Sequence, residues 1–354
     1  MSDQEANEIS DISLRLFDME IDYNDAGVIV IPVPWEVTVS YHTGTANAPE
    51  AILKASEQID LYDLDIPCSE LLGIHMLPIN SRWRNTSREL RSKALEHIRV
   101  LDSSSNLAES CYLEAINLGC HQLKEAVKSE TRKVLADGKI PAVLGGDHSV
   151  SLGLIEALCE QHEDFGILAI DAHADLRKAY QGFTYSHASI MYNVIQNPQV
   201  SQLTMVGVRD LCAEEMSRIT ESGERIRVFF DAAIKEQVHF NRYKTWNTCC
   251  DEIIETLPRK VYISFDIDGL NPVFCPSTGT PVPGGLDYCE AMYLLKKLVV
   301  SGKTVVGFDL NEVASDISNP DNDWDANVGA RVLYKMANLS SWSQKRKSDL
   351  DVTS

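Results

Sequence analysis

Three short segments of this chain end apolar runs in histidine and aspartate: Gly145-Gly146-Asp147-His148-Ser149, Asp171-Ala172-His173-Ala174-Asp175 and Asp266-Ile267-Asp268. In extended backbone, side chains two residues apart share a face, so Asp171, His173 and Asp175 project together, and so do Asp266 and Asp268. Solvated loops also carry such residues. A deeply apolar run that leads straight into three polar groups on one face is better explained by a common ligand. Two carboxylates as close as Asp266 and Asp268 raise each other's pKa unless a cation neutralises them. His148 alone is a weak signal, because a histidine after a glycine pair is commonly a hydrogen-bonded turn residue; it gains weight from the other two segments. Together the segments offer four aspartates and two histidines, with no thiolate. That donor set points to Mn²⁺ first, with Fe²⁺, Co²⁺, Ni²⁺ or Zn²⁺ as alternatives. Six protein ligands, most of them carboxylates able to bridge, suit two divalent ions about 3.5–4 Å apart.

The elements that must position these groups are legible as periodicity. Residues 28–34, 141–145, 165–171, 203–208, 226–231, 261–268 and 304–310 are nearly continuous apolar, β-branched runs. Strands buried on both faces look like this, as in a parallel sheet covered by helices. Between them lie amphipathic stretches. Residues 115–137 have helical spacing with Gly138 as a stop, and residues 287–301 start at Asp287, a good N-cap, and end before Gly302. The alternation predicts an α/β three-layer domain. Ligands of open parallel sheets bind beyond the carboxyl ends of the strands, so the three polar segments can converge on one rim. Residues 80–112 are polar with partial helical spacing and read as a helical excursion or insertion. Residues 1–25 read as a loosely held leader, 26–340 as one α/β domain and 341–354 as a solvated tail.

Length and composition agree with this. The chain has 354 residues, 44% hydrophobic, enough for a large core. Its formal charge is 32 minus 52, or −20, which argues against nucleic acid and anionic membranes as partners and mildly favours cationic ligands. An acidic surface commonly serves only solubility. No run of 18 apolar residues predicts a membrane span, and the acidic N-terminus does not read as a signal peptide. Nine cysteines with no CxxC pair read as reduced thiols of a cytoplasmic protein. Cys275 stands inside the motif that follows Asp268 and reads as a small buried side chain.

The segments GGDHSV (145–150), DAHADLR (171–177) and SFDIDGLNPVFCPSTGTPVPGGL (264–286) resemble the ureohydrolase family of arginases, agmatinases and formiminoglutamases. The stretch VPWEVTVSYHTGTANAPEAIL (33–53), with Gly44 and Pro49, is similar to that family's N-terminal signature, and the resemblance runs from about residue 27 to about 337. It implies a three-layer arginase-like fold with a central parallel sheet of eight strands. It implies a binuclear manganese centre in which His148, Asp171, Asp175 and Asp266 hold one ion and His173, Asp171, Asp266 and Asp268 the other. The expected reaction splits a guanidino group into urea and an amine. A guanidinium carbon is a poor electrophile and neutral water a poor nucleophile; two cations lower the pKa of water, and the leaving amine needs a proton. His187, in YSHAS, falls where the family carries its proton-shuttling histidine. Glu312, in GFDLNEVAS, matches the guanidinium-binding acid, whose two oxygens suit a planar fork of N–H donors. Asp147 and Thr280 read as groups that support the ligands or fix the loops, and Asp309 as structural.

The chain departs from the pattern in places. Asn271 stands where many members have aspartate, which predicts retuning rather than inactivity. Leu176-Arg177 occupies the position where arginases carry an asparagine, and the loop YQGFTYSHAS is of agmatinase type. Agmatine is the first choice of substrate; 4-guanidinobutyrate, aminopropylagmatine, free guanidine, formiminoglutamate and arginine are the alternatives, with a non-catalytic polyamine-binding relative behind them. An inward Arg177 would repel an ammonium, whereas an outward one paired to an acid would be structural. Trp246 and Trp324 are candidates for closing the pocket and equally for ordinary packing. The resemblance also implies a homo-oligomer, trimer or hexamer.

Overall fold

The apolar runs become strands because both of their faces are covered. In the computed structural model, which describes residues 15–66, 73–103, 112–241, 243–316, 319 and 321–351, the strands are β1 (Val28–Val33), β2 (Ile74–Met76), β3 (Ile140–Gly145), β4 (Phe165–Ile170), β5 (Val200–Val206), β6 (Ile226–Phe229), β7 (Lys260–Asp266) and β8 (Thr304–Asn311). They form one all-parallel sheet of eight strands in the order β2-β1-β3-β8-β7-β4-β5-β6. The seven apolar runs account for all strands but β2. At three residues on the sheet edge, β2 is too short to show a run.

Alternate residues of each strand enter different cores. Val28, Val30, Leu168, Ile170, Ile263 and Phe265 pack on one face, with the helices Ala48–Ser56, Trp246–Glu255, Tyr288–Val300 and Trp324–Asp351. Ile29, Ile31, Ile167, Ala169 and Tyr262 pack on the other, with Ser81–Ser103, Leu113–Ala136, Leu152–Gln161 and Ala213–Glu221. The helix ends follow local signals. Asp287 and Glu290 form a reciprocal capping box at the start of Tyr288–Val300. The helix Leu113–Ala136 stops at Gly138, which has a φ of +70°.

The described parts of the two ends are more firmly docked than expected. Residues 1–14 and 352–354 lie outside the described residues. Leu16 and Phe17, inside the expected leader, are buried; the Phe17 ring meets Tyr334 at 4.9 Å and its amide donates to Ser56 Oγ. The expected tail from 341 continues the helix Trp324–Asp351, where Ser343 Oγ accepts the Val305 amide at 3.0 Å and Gln344 Nε2 donates to the Val305 carbonyl at 2.9 Å. Both ends looked solvated because their apolar content is low, yet a few side chains per turn suffice to dock them. The polar stretch at 80–112 begins as the helix Ser81–Ser103; residues 104–111 lie outside the described ones. Cys275 is buried and its thiol donates to the Ile267 carbonyl, with burial first among the causes that push its pKa up, as expected of an inert thiol. Cys68 and Cys111 fall outside the described residues, and the other seven are free thiols. No helix of the described residues is long and apolar enough to cross a membrane.

Candidate metal centre and its pocket

Four neighbouring central strands deliver the site. β3, β8, β7 and β4 lie side by side, and their carboxyl ends lead into His148, Glu312, Asp266 and Asp171. The turn after β3 needs its glycines: a β-carbon on Gly146 would lie 1.9 Å from the Trp35 carbonyl oxygen. Asp147 then accepts the Ser149 amide and hydroxyl and starts the single turn His148–Ser151. The His148 amide in turn donates to Glu312 Oε1 at 2.9 Å.

The six predicted ligands come together in two groups. His148 Nδ1 lies 3.1 Å from Asp171 Oδ2, 3.2 Å from Asp175 Oδ2 and 3.4 Å from Asp266 Oδ2. His173 Nδ1 lies 3.0 Å from Asp268 Oδ2 and 3.6 Å from Asp171 Oδ1. Donor atoms of His148, Asp171 and Asp266 fall within 4.8 Å of one another, and so do those of Asp171, His173 and Asp268. Asp171 therefore turns one oxygen to each group, as a bridging carboxylate would. The second group does not include Asp266: one of its oxygens faces His148 and the other accepts the Asp268 amide at 2.8 Å.

These residues fit divalent cations. His148 Nδ1 and Asp171 Oδ2 are buried without a hydrogen-bond partner in good geometry, although they point at each other. No lysine or arginine pairs with the four aspartates among the described residues. Burial disfavours His148 and His173 as cations, yet the surrounding aspartates outweigh it and raise both pKa values well above the ordinary range. Burial and then Asp171 push Asp175 up to about 7, and burial, Asp268 and Asp171 raise Asp266. A hard cation removes this frustration in one step.

A buried network stands behind His148. Its Nε2 lies 2.8 Å from Ser264 Oγ, which donates to Asp309 Oδ1; Asp309 also accepts from Tyr262 Oη and Asn311 Nδ2. This fixes the ring so that Nδ1 faces the carboxylates. Asp309 is structural in that sense. Ser264 and Asn311 were not singled out from sequence, although they lie within β7 and β8, the site's own strands.

Above the groups opens a cavity of about 270 Å³, lined among others by Ser40, Tyr41, His173, Asp175, Arg177, Tyr180, His187, Asp210, Glu215 and Thr280. His187 is on this wall. Its amide donates to Thr38 Oγ1 at 3.2 Å, Ser40 Oγ lies 3.5 Å from Nε2, and Tyr180 meets the ring edge-on at 6.1 Å. Burial, with His173 and His148 nearby, brings its pKa down to about 3, so the ring is neutral near pH 7. Thr280 Oγ1 reaches Asp268 Oδ2 at 3.4 Å. Glu312 is buried, with a φ of +62°, and is not among the residues that line the cavity.

Arg177 divides the two expectations. It lines the cavity, yet its Nε is 3.7 Å from Glu215 Oε2 and its guanidinium lies over Tyr180 at 5.1 Å. It is thus a paired arginine on the inner wall. Asn271 caps a turn through the Val273 amide. Neither tryptophan lines the cavity: Trp324 donates to the Val273 carbonyl and Trp246 to the Glu290 carbonyl, which agrees with the packing alternative rather than with closure of the pocket. Long polar aromatics are drawn to any carbonyl they reach, and sequence does not say which. Sequence reading also missed Arg209, whose guanidinium ties the Asp268 and Leu270 carbonyls to that of Val282 on the cavity wall. Its signal was an arginine directly after an apolar strand.

Strand order, donor set and pocket define the class, a parallel α/β protein with a carboxylate–imidazole centre at the switch point of its sheet. A model of the arginase family matches residues 26–338. An N(1)-aminopropylagmatine ureohydrolase of Thermus thermophilus is 32% identical over 323 residues, covering 90% of this chain and 91% of that protein. An agmatinase of Pyrococcus horikoshii is 29% identical over 307 residues, covering 85% and 90%. The solved structure of the agmatine ureohydrolase of Thermoplasma volcanium superposes with a TM-score of 0.71 at 23% identity, covering 97% of this chain and 99% of that one, and has the same fold. The chain belongs to the arginase family, whose members are hydrolases of amidino C–N bonds that depend on a binuclear metal centre.

Proposed function

We propose that the chain hydrolyses an amine-terminated guanidine to urea and an amine, with agmatine, which gives putrescine, as the first substrate. The observation that carries the reading is the convergence of His148, Asp171, His173, Asp175, Asp266 and Asp268 beneath a cavity whose wall holds His187. These six residues would hold two divalent ions, Mn²⁺ first, which supply a nucleophile at neutral pH by lowering the pKa of water. Glu312 receives the guanidinium: one oxygen is taken by the His148 amide, and Oε2 makes no hydrogen bond among the described residues. His187 delivers a proton to the departing amine. The balance is simple: water adds across the C–N bond, its oxygen stays on urea, and a proton leaves with the amine.

The cationic tail is supported by the wall. Asp210 is exposed on the cavity and forms no ion pair among the described residues, while Glu215 partly offsets the charge of Arg177. A second reading, N(1)-aminopropylagmatine, is favoured by the relative at 32% identity. The deciding measurement is urea release with added Mn²⁺ or Ni²⁺ from agmatine, N(1)-aminopropylagmatine, 4-guanidinobutyrate, arginine and guanidine. The expected result is turnover of the first two well above the rest. No urea from any of them, with metal demonstrably bound, would sink the hydrolase reading. Preference for guanidinobutyrate would assign the tail to Arg177 instead.

A further inference from the structure

The helix Ser81–Ser103 buries a face that is largely polar. Its inward residues include Ser87, Leu90, Arg91, Ala94 and His97, at helical spacing, and three of these five can hydrogen-bond. Each polar one meets the backbone of a loop at the rim of the site. Ser87 Oγ accepts the Glu36 amide at 3.0 Å. Arg91, only 9% exposed, donates from one terminal nitrogen to the carbonyls of Val37, at 3.2 Å, and Val39, at 2.5 Å, and has no ion pair among the described residues. His97, 2% exposed, holds the Gln181 carbonyl through Nε2 at 2.8 Å, and its ring lies 5.2 Å from that of Phe183. The helix itself is seated firmly. Leu90 occupies the space left by the missing side chain of Gly119 on the helix Leu113–Ala136, where a β-carbon would come within 2.3 Å of it.

The two loops held in this way flank His187. Thr38, between the two carbonyls that Arg91 grips, accepts the His187 amide, and its Oγ1 lies 3.5 Å from Nδ1. Ser40, next in line, faces Nε2. From the other side, Tyr180, next to Gln181, meets the same ring. A planar guanidinium fixes two carbonyls at once, which a lysine ammonium does less rigidly.

We propose that the helix Ser81–Ser103 is a clamp on the rim of the active site, in which Arg91 is a positioning residue for His187 through the Val37–Val39 backbone and His97 is a positioning residue for the Tyr180 wall. The proposal rests on the reading of His187 as the proton donor. Misplacing that ring by about an ångström costs turnover rather than ground-state binding, whereas loosening the Tyr180 loop costs binding.

The test uses the full chain loaded with Mn²⁺ and the guanidine that gives the fastest urea release. Arg91→Met is expected to lower kcat about 10- to 100-fold with little change in KM, and Arg91→Lys to recover part of the loss. Added imidazole, a diffusible proton donor, restores turnover in Arg91→Met as it does in His187→Ala. His97→Leu raises KM several-fold at nearly unchanged kcat, and His97→Gln, which retains a donor, reverses this. Thermal melting and metal content, measured on every variant, separate these effects from loss of fold. Full kcat in folded Arg91→Met, or a loss that imidazole leaves untouched while it rescues His187→Ala, would overturn the clamp. Full kcat in His187→Ala would instead remove the proton-donor reading on which the clamp depends.

Discussion

The floor and the wall of the site share one cavity but are held in different ways. The floor is strand ends, and its carboxylates are gripped by amides of their own or the adjacent segment. Asp171 Oδ1 accepts the His173 amide, Asp266 Oδ1 that of Asp268, and Asp268 Oδ1 that of Ala172, just past the end of β4. The wall is loops, held by side chains from distant elements: Arg91 on 37–39, Asn117 on Gly182 and Thr184, Arg209 on Val282. A floor built into four packed strands has one geometry. A wall pinned by single side chains can be re-aimed by substitution, so reaction type belongs to the floor and substrate choice to the wall.

Changes to the floor should abolish chemistry and leave the fold intact. Asp268→Asn removes a carboxylate that faces His173 and is expected to lower turnover by about a thousandfold or more, with an unchanged far-ultraviolet spectrum; full urea release in this variant would contradict the metal assignment. On the border of floor and wall, His187→Ala should lower kcat by about 10²–10³-fold with KM nearly unchanged. If KM rises instead, the ring binds substrate and the border is misdrawn.

Beneath the floor, Ser264→Ala or Asp309→Asn frees the His148 ring and should weaken Mn²⁺ binding by about 10- to 100-fold, read by metal titration. The same titration should depend on pH. Neighbouring aspartates raise His148 and His173, and burial with Asp171 raises Asp175, so a cation competes with protons for these groups. Affinity should therefore fall as pH drops from about 8 to 6; an affinity flat across that range would mean the protons are not there. The smallest effect belongs to the wall. Arg177→Gln should change the ratio of agmatine to guanidinobutyrate turnover by about three- to tenfold in favour of agmatine. An unchanged ratio would show that the Glu215 pairing already silences Arg177.

The floor was legible because its information is local. Apolar runs that end in Asp171-His173-Asp175 and Asp266-Ile267-Asp268 mark strands covered on both sides and the polar rim beyond them, but the expected common face does not form: Asp175 has a φ of +52°, Ile267–Gly269 is a 3-10 turn, and His173 turns to Asp268 while Asp175 turns to His148. β2 escaped notice because three residues carry no period. The docking of Phe17 and Ser343 was not legible because it depends on what they meet, not on their neighbours in sequence. Arg177 could be narrowed only to inward or outward, and its Glu215 partner lies 38 residues away.

By itself, then, the sequence determined a parallel α/β sheet and placed six histidines and aspartates just past its apolar runs, because hydrophobic patterning acts over a few residues. Only the tertiary structure decided that Asp171 turns an oxygen to each group, that Arg91 on a polar helix reaches Val37 and Val39, and that Thr38 meets His187 across 149 positions of chain. Those contacts join segments whose meeting is set by the crossovers of the sheet and by how its helices pack, and no local pattern encodes either.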